Sequence, residues 1–219
     1  LAWRNLWRNP RRTAIILTAV VVGMWLMLFL AAFMRGMLQD IVDNSIYTLT
    51  GHIQVHAEGY LDDPGVERSI DDPGAIATLI DQALPEGAAR APRVRIEVVA
   101  NNARHAAGVT LVGVDFAREE GLSFIGEVLV AGEKPAPGDK NGIVVGQAVL
   151  DRYETRVGNR LILMAQDTGG SIESRAFRIR GVFRAPLEAT EKRYIFCRIE
   201  AARDFFSLGD AISEIAILL

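Results

Sequence analysis

The hydrophobic pattern along this chain changes character twice, and each change predicts a different kind of element. From Thr13 to Met34 there are 22 consecutive residues without a charge, and only Thr18 and Gly23 interrupt their apolar surface. At about 1.5 Å rise per residue they make a helix of roughly 33 Å, enough for a hydrocarbon core of about 30 Å. A buried soluble helix of that length keeps a polar stripe. A cleavable signal peptide has a shorter apolar stretch and a small-x-small cleavage site, whereas this one ends Leu30-Ala31-Ala32-Phe33-Met34-Arg35. The pattern therefore predicts a transmembrane helix over 13–34. Beyond it Met34, Met37, Leu38, Ile41, Ser45 and Leu49 keep helical three-and-four spacing. A stalk helix over 35–50 follows, with an apolar packing stripe that requires a partner helix.

After Gly51 the period drops to two. His52–His56 alternates as a strand, and further strands are predicted over Val94–Ala100, Gly108–Val114, Gly126–Val130, Gly142–Val145, Arg160–Met164, Phe177–Phe183, Tyr194–Arg198 and Glu214–Leu219. Helices fit Ala75–Leu84, opened by Pro73 and Gly74, and Asp115–Glu120, Gln147–Glu154 and Ile199–Phe206. Strands interleaved with short helices make residues 51–219 an α+β domain, with room for two sub-lobes.

Charge sets the orientation. Residues 1–35 hold five arginines and no acid, so the remainder carries all 27 acids against 19 bases, a sum of −8. An acidic body excludes nucleic acid as a partner. Arg4, Arg8, Arg11 and Arg12 precede the span, whereas Arg35 is soon followed by Asp40 and Asp43. The arginine-rich side stays in the cytoplasm. Trp3 and Trp7 lie one turn apart beside Arg4 and Arg8, so residues 1–12 read as an interfacial amphipathic segment anchored on the cytoplasmic side of the bilayer and ended by Pro10.

Chemistry is sparse. Cys197 is the only cysteine, which rules out an intrachain disulfide, and it reads as a small core hydrophobe. His52 and His56 have a two-histidine spacing, but on a strand they would stand about 13 Å apart, too far to share an ion. Residues 132–140 lack the spacing of a phosphate loop and read as a Pro/Gly turn. Paired acids such as Glu119/Glu120 read as solvated surface. The residues predict no catalytic site, metal or cofactor, hence no enzyme.

Several stretches together resemble one family. Ala2–Arg12, AWRNLWRNPRR, running straight into the span, is similar to the N-terminus of FtsX-like and MacB-like ABC-transporter permeases. Gly51-His-Ile-Gln-Val55 stands where their periplasmic domain begins. Gly142-Ile-Val-Val-Gly146, Val157-Gly-Asn-Arg-Leu161 and Phe177-Arg-Ile-Arg-Gly-Val-Phe183 resemble the family's recurring strand–turn–strand pattern, and Ala201–Ser213 resembles the closing helix and strand of lipoprotein-releasing (LolC/LolE-type) permeases. The resemblance implies a four-span permease in the bacterial inner membrane, here a fragment lacking the later spans. Its N-terminus is cytoplasmic and its MacB-type core domain periplasmic. The implied partners are an ATP-binding ABC subunit, a second permease subunit in a homo- or heterodimer, and a lipoprotein or other amphipathic cargo. Two other readings fit the same residues. One is a single-span sensor or scaffold with a ligand- or partner-binding outer domain, the other a cell-wall regulator of the related division-type permeases.

Overall fold

The computed structural model describes residues 9–45, 49–62, 64–85, 87–102, 104–126, 129–166 and 169–219. Contacts divide the chain into two units, residues 1–45 and residues 46–219. Among its described residues the first holds one unbroken helix, α1 (Pro10–Ser45). Pro10 occupies its first position, where a missing N–H costs nothing, and Thr13 donates the opening bond to the Asn9 carbonyl at 3.1 Å. The 36 residues span about 54 Å at 1.5 Å each. Every side chain from Ala14 to Ile41 is exposed. Trp25, Phe29 and Phe33 stack along one face at 5.9 and 6.4 Å between ring centres. This helix is long and apolar enough to cross a membrane.

The second unit is built on a nine-stranded sheet. In chain order its elements are β1 (Ile53–His56), α2 (Pro73–Ala83), β2 (Ala89–Asn101), β3 (Ala106–Val114), a 3-10 turn (Phe124–Gly126), β4 (Ala131–Gly132), β5 (Gly142–Gly146), α3 (Gln147–Arg152), β6 (Arg160–Gln166), β7 (Ile172–Phe183), α4 (Glu188–Arg193), β8 (Tyr194–Arg198), α5 (Ile199–Phe206) and β9 (Glu214–Leu218). The ladder β2–β3–β8–β5–β7–β6 returns to β2, because β6 pairs with both β7 and β2. The result is a closed barrel. β9 and then β1 extend from the other half of β2's free edge, antiparallel. One sheet thus runs through the whole unit.

Alternation sorts the side chains. Val94, Ile96, Val98, Leu111, Ile143, Val145, Ile195 and Cys197 point into the barrel, where Phe205 and Phe206 of α5 fill the space. The in-between residues Val112, Val114, Val144 and Phe196 face outward under Leu49, Phe116 and Ile125. Strands such as β5 are consequently buried on both faces.

Two sequence-based expectations need correction. Asp115–Glu120 is not a helix: Arg118 and Glu119 donate to the Asp115 carbonyl for a single turn, and Gly121, at φ +74°, ends it. Of the strand expected over Gly126–Val130, residues 127 and 128 lie outside the described residues, and Gly126, Leu129 and Val130 are not in a strand. Gly126 ends the 3-10 turn, pressed so close to Glu119 that a β-carbon would lie 2.4 Å from its carbonyl oxygen. Pairing with β7 begins only at the Val130 amide and continues through β4. Of the stalk expected over 35–50, α1 covers residues 35–45, residues 46–48 lie outside the described residues, and Leu49 and Thr50 belong to the second unit.

Candidate functional site

Among the described residues no group of histidines, cysteines and acids could hold a metal ion. His52 and His56 have separate neighbours: His52 Nδ1 accepts from the Leu219 amide at 3.0 Å, whereas His56 stacks on Tyr60 with ring centres 4.7 Å apart. The most unusual chemistry lies elsewhere, at the place where the chain enters the domain.

Arg93 is fully buried on the outward face of β2, with Glu119 and Glu214, both equally buried. Its Nε and Nη2 donate to the two oxygens of Glu119, each at 2.7 Å, the bidentate geometry that a guanidinium fork favours. Its Nη1 donates to the Leu49 carbonyl and lies 3.5 Å from Glu214 Oε1. Register explains the meeting, since Arg93 stands opposite Glu214 of β9 on one side and Val114 of β3 on the other. Glu119 arrives from the turn after β3 and also accepts from Ser123 Oγ at 2.5 Å. Arg95 adds a second cation, its Nη2 3.3 Å from Glu214 Oε1. Burial alone would lower the Arg93 pKa, but the Glu119 hydrogen bonds and both carboxylates outweigh it and hold the guanidinium more firmly charged than usual. Removing one partner of such a buried pair costs about 3–5 kcal/mol, because the remaining charge is left uncompensated.

Around this ion cluster both ends of the domain are fastened together. The Leu49 side chain is buried against Val112, Val114 and Phe196. Gly51 turns the chain at φ +67°, so close to β9 that a β-carbon would lie 2.7 Å from the Ile217 carbonyl oxygen. The His52 amide then donates to that same carbonyl at 2.8 Å, and β1 runs antiparallel along β9. The strand that enters and the strand that leaves are neighbours.

The residues singled out from sequence fall as follows. Trp3, Arg4, Trp7 and Arg8 lie outside the described residues, and Arg11 and Arg12 are exposed in the first turn of α1. Met34, Met37, Leu38 and Ile41 are exposed on α1. Ser45 ends that helix, and its side chain lies outside the description. The Leu49 side chain is buried in the second unit's own core. Glu119, read as solvated surface, is fully buried; only its neighbour Glu120 is exposed, 3.3 Å from Lys134 Nζ. The signal that could have found this cluster was the pairing of charges with strand alternation. Arg93, Arg95 and Glu97 share one face of β2, and Glu214 is the single acid in an otherwise apolar closing strand.

The pattern of the MacB-like periplasmic core domain matches residues 13–219, nearly the whole chain. The chain belongs to the MacB-like periplasmic core domain family. It is thereby an ABC-transporter permease domain carried with an apolar helix. Solved structures similar to it include the extracellular domain of the noncanonical ABC-type transporter YknZ from Gram-positive bacteria, 10% identical at TM-score 0.49 over 76% of this chain and 81% of that one. The periplasmic region of MacB from Actinobacillus actinomycetemcomitans is 13% identical, also at TM-score 0.49, over 76% and 72%. A domain of a permease protein from Porphyromonas gingivalis is 19% identical at TM-score 0.40 over 64% of each chain. No curated protein matches. Within this family domain the MacB-like strand–turn–strand motifs have a physical basis. Gly146 closes β5 where a β-carbon would lie 2.3 Å from the Glu191 carbonyl oxygen, and Gly158, at φ +91°, turns the chain into β6 with its amide bonded to the Ile179 carbonyl at 2.8 Å.

Proposed function

We propose that this chain is the membrane-anchoring and periplasmic part of a permease that couples ATP hydrolysis by a cytoplasmic ABC subunit to extraction or export of an amphipathic cargo, with lipoprotein release from the inner membrane as the leading case. The chain itself performs no chemistry. A second permease subunit completes the transporter, and later spans return the chain to the membrane.

One observation carries this reading beyond family membership. β1 and β9, the first and last strands of the domain, are antiparallel neighbours. That is the geometry of a domain looped out between two membrane segments. The excess of arginine before the span supports a cytoplasmic N-terminus, with the acidic domain outside.

Alkaline phosphatase fused after Leu219 should be active, as it is only outside the cytoplasm. The full-length gene product should co-purify with an ATP-binding subunit and release a fluorescently labelled triacylated lipoprotein from proteoliposomes when ATP is added. A fusion active only in the cytoplasm would overturn the topology. A protein with one span and no ATPase partner would instead favour the sensor or scaffold.

A further inference from the structure

We propose that Arg93 is a positioning residue that locks the incoming chain at Leu49 to the central strand of the domain, so that a pull arriving there moves the sheet as one body. The inference rests on the transporter reading above for its purpose, but its geometry is independent of cargo.

The argument is mechanical. β1 is an edge strand of four residues held by one partner, β9. A pull on such a strand from its end opens its ladder one hydrogen bond at a time. β2 is different. Its 13 residues pair with β3 along one edge and with β9 and β6 along the other. Arg93 sits on β2 where both ladders overlap, opposite Glu214 and Val114 together.

Its guanidinium grips three segments that are far apart in sequence: the Leu49 carbonyl just before β1, Glu119 in the turn after β3, and Glu214 in the departing strand. A pull at residue 49 is thereby shared with β2 and β9 before it reaches β1. A leucine side chain alone would anchor residue 49 by burial, which has no direction. The carbonyl bond to a clamped guanidinium gives the attachment a direction, and Glu119 keeps the fork from rotating.

The test uses the full chain in lipid nanodiscs and two variants. Arg93→Met with Glu119→Leu replaces the clamp by apolar side chains of similar size, a change that often preserves stability, and it leaves Glu214 beside Arg95. Glu119→Gln keeps the shape but releases the charge. In hydrogen exchange, the rate at residues 51–56 relative to that at β3, β5 and β8 should rise at least about tenfold in the double variant and about threefold in Glu119→Gln, a ratio that sets aside any loss of global stability.

In the complete transporter, labelled lipoprotein released per ATP hydrolysed should fall in the same order, while ATP hydrolysis persists. Unchanged exchange at residues 51–56 in a folded variant overturns the role of Arg93, as does an unchanged release ratio. Equally faster exchange throughout the domain, with that ratio unchanged, also overturns it, because Arg93 would then be a stability residue only. Should the double variant not fold, Glu119→Gln decides alone. A wild-type protein that releases no lipoprotein would count against the proposed transport function, while the exchange result would still judge Arg93.

Discussion

At the scale of single residues, the environment decides what a side chain can do. Cys197 lies wholly inside the barrel, and burial first, then the nearby Glu200, pushes its thiol well above the ordinary range. Only the thiolate reacts readily. A disulfide reagent at pH 8 should therefore leave the folded protein unlabelled and modify Cys197 at the rate of unfolding; fast labelling of native protein would show that the barrel is open. Gly51 gives a second residue-level prediction. Gly51→Ala places a β-carbon against the Ile217 carbonyl oxygen at a positive φ, whereas Gly87→Ala has a positive φ but open space. Strain alone should cost about 1 kcal/mol at Gly87, and strain plus the clash about 2–3 kcal/mol at Gly51, read as the difference in thermal midpoints. Equal losses would mean that the approach to β9 is not tight. The inert character of Cys197 was legible in its apolar strand. The burial of Glu119 was not, because nothing beside it in sequence reveals that Arg93, 26 positions earlier, faces it across the sheet.

The elements divide in the same way, into those announced by local pattern and those made by contact. β8 and α5 lie where period-two and helical spacing place them, Tyr194–Arg198 and Ile199–Phe206. β2 and β7 extend beyond their expected ends because cross-strand pairing continues into polar residues such as Arg90 and Glu173. α4 was not foreseen at all. Its sequence, EATEKR, has no apolar face to give a period. It forms because Glu191 turns inward, where Oε2 accepts from the Ala148 amide at 3.1 Å and Oε1 from the Ala185 amide at 2.9 Å. The first of these supplies α3 with the cap that Gly146, lacking a side chain, cannot provide. Glu191→Ala should destabilise the domain by about 2–3 kcal/mol, since it leaves one buried and one half-buried amide unpaired. Glu188→Ala, which removes only an exposed contact to Lys192, should cost under about 0.5 kcal/mol. Urea titration of both variants checks the contrast. Similar losses would mean that Glu191 is merely a surface residue of α4.

For the whole molecule, the division between lipid-facing and water-facing parts is the most legible feature of the sequence, and it has a testable consequence. All three clusters of the domain's core are drawn from residue 49 onward. α1 contributes no buried side chain among its described residues, and it is long and apolar enough to cross a membrane. Removing residues 1–45 should leave a soluble protein that remains in the supernatant without detergent. Such a protein should unfold in one cooperative transition, with a midpoint within about 3 °C of the domain transition in the full chain. The full chain should sediment with membranes and need detergent to be extracted. Were the shortened protein to aggregate or lose cooperativity, α1 would have to be part of the domain's core. The ion cluster makes the comparison more demanding. Arg93 binds Leu49 just downstream of the cut, so the truncation keeps the clamp intact while Arg93→Ala, in the same shortened protein, destroys it. The helix can thus be removed at little cost, whereas one buried guanidinium should account for about 3–5 kcal/mol.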